Sequence, residues 1–244
     1  MKAMILAAGL GQRMRPLTDS LPKPMLCVGG KPLLQYHLEA LAKIGVNEVI
    51  INLAYLGDKI RAFAQTGKQF GLNVRYSEEP EPLETAGALL HALPLLGAEP
   101  FILLNGDVWT DYPLISLAAH SLQTDDDAHL ILVPNPEFHL AGDFSPNSHG
   151  RLENNPNLAK FTFAGVSLIH PRLISQYPHQ RNKFPLGEVL RFGIAHNRIS
   201  AKIYSGGWSD VGTPERLAAL DAQLLDAQSL NAHSLDVQLH KNNH

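Results

Sequence analysis

The apolar run Ala3-Met4-Ile5-Leu6-Ala7-Ala8 stops at a glycine turn, Gly9-Leu10-Gly11, and Arg13, Arg15 and the proline-flanked Lys23 follow it. The run reads as a strand that carries the chain to a sheet edge. There Gly9 and Gly11 can take positive φ and leave backbone N–H groups free to point at phosphate oxygens. The three cations supply the charge that a polyphosphate demands, so the segment reads as a triphosphate cradle. Two familiar glycine motifs do not fit it. A dinucleotide fingerprint needs a third glycine where Met14 stands, and a Walker loop needs Gly-Lys-Ser/Thr, whereas the lysine here arrives far downstream.

Behind the cradle, short apolar runs alternate with amphipathic stretches, the pattern of a parallel sheet with crossover helices. Residues 32–44 read as a helix with Leu34, Leu38 and Leu41 on one face and Gly45 as its stop. Strands are predicted at 48–54, 73–77, 101–104 and 128–133, with helices at 58–70 and near 85–93. The second half is less regular. Residues 135–157, rich in Pro, Asn, Gly and His, are too long for a plain connection and form a candidate binding loop. A strand at 161–169, helical stretches near 171–176 and 186–195, and a strand at 199–204 follow. Thr213-Pro214-Glu215 opens a last helix with a capping hydroxyl, a first-turn proline and an acid at the positive end of the dipole. The fold class is α/β: one doubly wound domain over 1–227 with a mixed, mostly parallel sheet, and a polar, frayed tail over 228–244.

Composition narrows the function. A net charge of −3 argues against nucleic acid as a partner, because backbone-phosphate binding is driven by excess Lys and Arg. Cys27 is the only cysteine, which excludes an intramolecular disulfide and a thiolate zinc cluster. No apolar run reaches spanning length and the first strand lacks the flanks of a signal peptide, so no membrane partner is expected and the cytoplasm is the expected location. Twelve histidines are scattered without H-x-H or H-E-x-x-H spacing and read as surface residues or local hydrogen-bonding partners. Asp125-Asp126-Asp127 lacks the further ligands of a calcium loop and reads as a solvated loop. Oligomeric state is left open.

Leu6, Ala7, Ala8, Gly9, Gly11, Arg13, Pro16, Thr18, Lys23 and Pro24 meet every fixed position of L-A-A-G-x-G-x-R-x-x-P-x-T…K-P. That pattern resembles the signature of the sugar-1-phosphate nucleotidyltransferases, and the likeness covers residues 1 to about 222. It implies a Rossmann-like nucleotide-diphospho-sugar transferase fold and transfer of a nucleotidyl group from a nucleoside triphosphate to a sugar 1-phosphate. By this resemblance the nucleotide is held by Leu6, Ala8, Gly9, Gly11, Gln12, Arg13 and Lys23, with Arg15 supporting the cradle. Glu79, Pro80 and Gly87 fall in the segment that reads the base. Glu79 can accept from uracil N3–H or from guanine N1–H and its amino group, or it is a solvated loop acid. Asp107, after the strand at 101–104, and Asp210, in Trp208-Ser209-Asp210-Val211-Gly212-Thr213-Pro214, would each read alone as a turn aspartate. The resemblance makes them the Mg²⁺ ligands. Arg13, Lys23, Asp107 and Asp210 are then the catalytic set.

Within the family, the stretches at 82–87, 105–111 and 142–144 are similar to the N-acetylmuramate 1-phosphate uridylyltransferases of peptidoglycan recycling. This likeness implies UTP as donor, with Asn105, Gly142 and Glu153 touching the sugar. The lactyl carboxylate of muramate needs a basic partner, for which Arg151, Lys160 and Lys183 are candidates. The alternatives are mannose-1-phosphate guanylyl transfer, glucose-1-phosphate thymidylyl or uridylyl transfer, cytidylyl transfer to an isoprenoid precursor, and a noncatalytic sugar-nucleotide sensor. Lys23-Pro24 and the 208–214 segment speak against the cytidylyl reading, and the full catalytic set speaks against a sensor.

Overall fold

The computed structural model describes the backbone of residues 1–241 and the side chains of residues 1–230. From the N-terminus come β1 (Lys2–Leu6), α1 (Leu33–Lys43), β2 (Glu48–Leu53), α2 (Gly57–Ala64), β3 (Asn73–Glu78), α3 (Glu84–Leu96), β4 (Phe101–Asn105) and β5 (Val108–Thr110). They are followed by α4 (Leu114–Ala118), β6 (Ala128–Val133), β7 (Thr162–Ile169), α5 (Arg172–Ser175), α6 (Leu186–Ala195), β8 (Ile199–Ile203), β9 (Trp208–Asp210) and α7 (Pro214–Lys241). The main sheet runs in the order β8–β6–β7–β4–β1–β2–β3. β7 is antiparallel to both neighbours and the other pairings are parallel. The domain is therefore α/β with a mixed, mostly parallel sheet.

Alternation along each strand divides the core into two layers. Ala3, Ile5, Val49, Ile51, Ile102 and Leu104 meet Leu34, Leu38 and Leu41 of α1 and Ile60 of α2. Met4, Ile50, Phe101 and Leu103 point the other way, against Leu89 of α3 and Val189 and Leu190 of α6. Both faces are covered, which is why these strands read as near-continuous apolar runs. Each of the larger side chains, Val, Leu, Ile, Met or Phe, contributes about 1.5–3 kcal/mol on burial. A third cluster of Met14, Leu26, Val28, Leu33, Val211 and Leu220 ties the loop after β1 to α1 and the start of α7. Met14, which stands where a dinucleotide fingerprint has glycine, is the buried anchor of that loop.

The structure departs from the sequence reading in several places. The helix expected over 58–70 ends at Ala64, where Gln65 and Gly67 take φ of 47° and 81° and turn the chain into β3. α3 is longer than expected and keeps Pro94 in its last turn. Asp126 and Asp127 are not solvated. They are buried in an ion-pair network with Arg151, Arg172 and Arg198, which arrive from segments distant in sequence. β5 and β9 form an antiparallel ribbon that short runs such as Val-Trp-Thr could not announce. At the chain end α7 continues to Lys241 through most of the segment read as a tail, and residues 242–244 lie outside the described residues. Among the described residues no helix is long and apolar enough to cross a membrane.

Candidate active site

The carboxyl ends of β1, β2, β3 and β4 open onto one cleft, as ligand sites of open α/β sheets do. Its volume is about 220 Å³, and Leu6, Ala8, Gly9, Lys23, Glu79, Asn105 and Asp107 line it. Gly11 has φ +62°, and a Cβ there would come within 2.8 Å of Thr18 Cγ2. Thr18 Oγ1 donates to the Gly11 carbonyl at 2.7 Å, so the threonine of the signature fixes the glycine turn. Gln12 and Arg13 stand exposed on the rim, and Arg15 pairs with Asp19 at 3.3 Å.

A polar chain forms the floor. Ala7 N–H donates to Asn52 Oδ1 at 2.7 Å, Asn52 Nδ2 donates to Glu79 Oε1 at 2.7 Å, and Leu83 N–H donates to Glu79 Oε2 at 3.0 Å. Glu79 is buried, which corrects the solvated-acid reading, and each of its oxygens already accepts one bond. Sequence reasoning missed Asn52, whose only signal was an amide inside an apolar strand. Pro80 is exposed on the turn. Glu84, lining the cleft, has φ +61°, a conformation costing a non-glycine residue on the order of 1–3 kcal/mol. The start of α3 is held by the 184–186 segment. The Phe184 carbonyl accepts from Ala86 N–H at 3.0 Å and Gly87 N–H at 3.2 Å, and Leu186 N–H donates to Thr85 Oγ1 at 2.7 Å. Gly87 does not line the cleft. It lets α3 approach the Asn182 backbone.

Asp107 and Asp210 meet because β5 pairs with β9, Val108 opposite Asp210. Gly106 makes this possible, since a Cβ there would lie 2.6 Å from the Leu6 carbonyl oxygen. The largely buried Lys23 ammonium is ion-paired with Asp107 and stands 4.0 Å from Asp210 Oδ1. Asp210 Oδ2 lies 3.1 Å from Arg216 Nη1, and the Arg216 guanidinium stacks 3.9 Å over the Phe138 ring. Arg13, Asn105, Asp107, Asp210 and Arg216 line a second cleft of about 320 Å³, so the first and second clefts share Asn105 and Asp107. Two carboxylates converging on one ammonium are a donor pair able to hold a divalent ion. Among the described residues no cage of three or more His, Cys, Asp or Glu exists. An ion that keeps water and substrate phosphate in its shell needs none.

Behind this turn His37 is buried, with Nε2 lacking a hydrogen-bond partner. Burial pushes its pKa down to about 4, against the pull of Asp107 and of the Val108 and Asn105 carbonyls. It stands outside the surface and locally bonded roles expected of most of the histidines, and only the tertiary packing reveals it.

The 135–157 loop lies beside the second cleft, where Phe138, His139 and Asp143 join its lining. Asp143 accepts from Phe163 N–H at 2.8 Å and pairs with His139 at 3.0 Å. A third cleft of about 250 Å³ shares Asp143 and is lined by Glu153, Asn154, Lys160 and Arg191. Glu153 therefore stands apart from Asp107 and accepts from Asn147 Nδ2. Gly142, with φ +60°, packs against Asn135 and Lys160 and lines none of the three clefts. Of the three candidate partners for a sugar carboxylate, Arg151 is taken by Asp126 and Asn197, Lys183 is exposed beside the start of α3, and only Lys160 lines one of these clefts.

Residues 2–145 match the model of a family described as nucleotidyl transferase. The chain is 45% identical over 227 residues to an N-acetylmuramate alpha-1-phosphate uridylyltransferase of Neisseria meningitidis serogroup B, covering 91% of this chain and 97% of that protein. It is 32% identical over 234 residues to a protein of the same name from Caulobacter vibrioides, covering 91% and 96%. A crystal structure provisionally assigned as a glucose-1-phosphate thymidylyltransferase of Bacillus anthracis, in complex with sucrose, superposes with a TM-score of 0.81. It is 20% identical, covers 93% of this chain and 96% of that one, and shares the fold.

Proposed function

The chain belongs to the nucleotidyl transferase family, and from that premise we propose that it transfers a uridylyl group from UTP to N-acetylmuramate 1-phosphate, releasing pyrophosphate. The observation that carries this reading is the junction of two clefts at Asn105 and Asp107, with Lys23, Arg13 and Asp210 around it. A donor in the first cleft and a sugar phosphate in the second would meet at that junction. The likeness to two uridylyltransferases over nine-tenths of the chain supports the choice of substrates.

The chemistry follows from charge. A phosphate oxygen of the sugar 1-phosphate attacks the α-phosphorus of UTP, the new P–O bond forms in line with the bond to the β-phosphate oxygen that breaks, and pyrophosphate leaves. The nucleophile is anionic at neutral pH and needs no general base. The barrier is the approach of two polyanions, so catalysis here is positioning and electrostatic stabilisation. The turn at Gly9 and Gly11 offers N–H donors to the β- and γ-phosphates, and the exposed Arg13 adds charge beside them. Lys23 presents its ammonium to the α-phosphate. Mg²⁺ held by Asp107 and Asp210 would screen the phosphates and help orient the leaving group.

The test is pyrophosphate release from four nucleoside triphosphates against a panel of sugar 1-phosphates. UTP with N-acetylmuramate 1-phosphate is expected to give the highest kcat/KM. A clear advantage for GTP with mannose 1-phosphate, or for UTP or dTTP with glucose 1-phosphate, would overturn the substrate reading. Nucleotide binding without turnover on any sugar would favour a sensor.

A further inference from the structure

Two cations of the third cleft form no direct ion pair among the described residues. Lys160 and Arg191 both line it, and among the described residues neither side chain makes a hydrogen bond or an ion pair. The one acid on the Arg191 helix, Glu188, is hydrogen-bonded to Arg181 at 2.8 and 2.9 Å, and Arg191 acts on it only through the charge that helps lower its pKa. The two acids of the cleft are engaged as well, Asp143 by Phe163 N–H and His139, and Glu153 by Asn147. The charge of these carboxylates balances the cleft as a whole, but neither forms an ion pair with Lys160 or Arg191, so both cations can still take a hydrogen-bonded anion.

The position of this cleft names the anion. Asp143 lines both it and the second cleft, whose carboxylates face the phosphates in the proposed reaction. N-acetylmuramate differs from N-acetylglucosamine by a lactyl ether on ring carbon 3 that ends in a carboxylate. We propose that Lys160 and Arg191 together bind this carboxylate and so select the muramate sugar. The inference rests on the proposed function. Other basic groups are less able to act: Arg151 is committed to Asp126, and Arg216 to Asp210 and the Phe138 ring. Arg191 carries no sequence motif, and it reaches the cleft from α6, a helix the sequence reading left out of the site.

The experiment measures kcat/KM with UTP for N-acetylmuramate 1-phosphate and N-acetylglucosamine 1-phosphate, in the wild type, Lys160→Met, Arg191→Met and the double variant. Each single substitution is expected to lower the muramate-to-glucosamine ratio about tenfold, mainly through KM for the muramate sugar, and the double variant to bring the ratio near one. The methyl ester of the lactyl group should lose the advantage in the wild type and lose nothing further in the double variant. A double variant that keeps the wild-type ratio, or an equal loss for both sugars, overturns the assignment. A wild type with no preference for the muramate sugar overturns the proposed function and this inference with it, so the wild-type ratio tells the two failures apart.

Discussion

The molecule contains two clusters of paired aspartates, and they are built in opposite ways. Asp126 and Asp127 have side chains 4% and 1% exposed, and three arginines saturate them. Asp107 and Asp210 are 36% and 28% exposed, and they share one lysine, with Arg216 on the far oxygen of Asp210. The first cluster ties the start of β6 to the ends of the loops around it, since Asp127 N–H also donates to the Arg198 carbonyl and its own carbonyl accepts from His170 N–H. The second keeps lone pairs open to a cleft. The Asp126 and Asp127 carboxylates are closed off by their cations, whereas those of Asp107 and Asp210 are held by fewer and remain available to a ligand.

That contrast can be broken by exchanging charge for an amide in each cluster. Asp107→Asn and Asp210→Asn are each expected to lower turnover by 10³-fold or more, at least about 4 kcal/mol, with circular dichroism unchanged. Near-normal kinetics in a folded variant would remove that residue from the site. Asp127→Asn should do the reverse. It leaves three guanidinium bonds with one acceptor oxygen and should cost about 3 kcal/mol of stability, the low end for a broken buried pair. In a chain of this size that is a fall in Tm of roughly 6–12 °C, with kcat within a few-fold of wild type. A variant with normal Tm and poor turnover would show the closed cluster to be functional after all. Lys23→Ala should lower kcat by about 10²-fold and affect nucleotide affinity less, because the ammonium meets charge that grows in the transition state. Equal losses in kcat and affinity would make Lys23 a ground-state binder instead.

The smallest effect sharpens the comparison through protons, since each cluster has a depressed histidine beside it. Burial lowers the pKa of His37, near Asp107, to about 4, and burial with His120 lowers that of His129, near Asp126, to about 4. A histidine held neutral in the fold binds its proton more readily when unfolded. Its stabilising contribution is therefore complete above the ordinary value of 6.5 and is lost as pH falls from 6.5 towards 4. For His37 the loss at pH 5 is about 2 kcal/mol relative to pH 8. Denaturant titrations at the two pH values should show this loss, and His37→Gln should flatten the profile. An unchanged slope would mean that His37 does not carry it.

The glycine turn and the cations that follow it were open to sequence reading because their parts are local. Gly9, Gly11, Arg13, Thr18 and Lys23 lie within one segment, and strand and turn chemistry over such a span is a short-range property. The strands and most helices were readable for the same reason, as their periodicity is written in consecutive residues. Asp210 was reached only by resemblance, and the physical cause of its place beside Asp107 is a three-residue ribbon too short to leave a pattern. Glu79 could be read as a base contact or a solvent acid, and neither reading could foresee Asn52 and Leu83 N–H taking its oxygens.

The order of apolar runs and turns by itself determined an α/β domain, a glycine turn with basic residues behind its first strand and a carboxylate at the end of a central one. Backbone geometry and side-chain period act over a few residues, so those features need no partner to be specified. The tertiary structure alone decided which acids are closed and which are open, which histidine lies beneath the Asp107 turn, and that Lys160 and Arg191 face one cavity. Burial and ion pairing depend on groups brought together from as far apart as Lys23 and Asp210, and that proximity exists only once the sheet has formed.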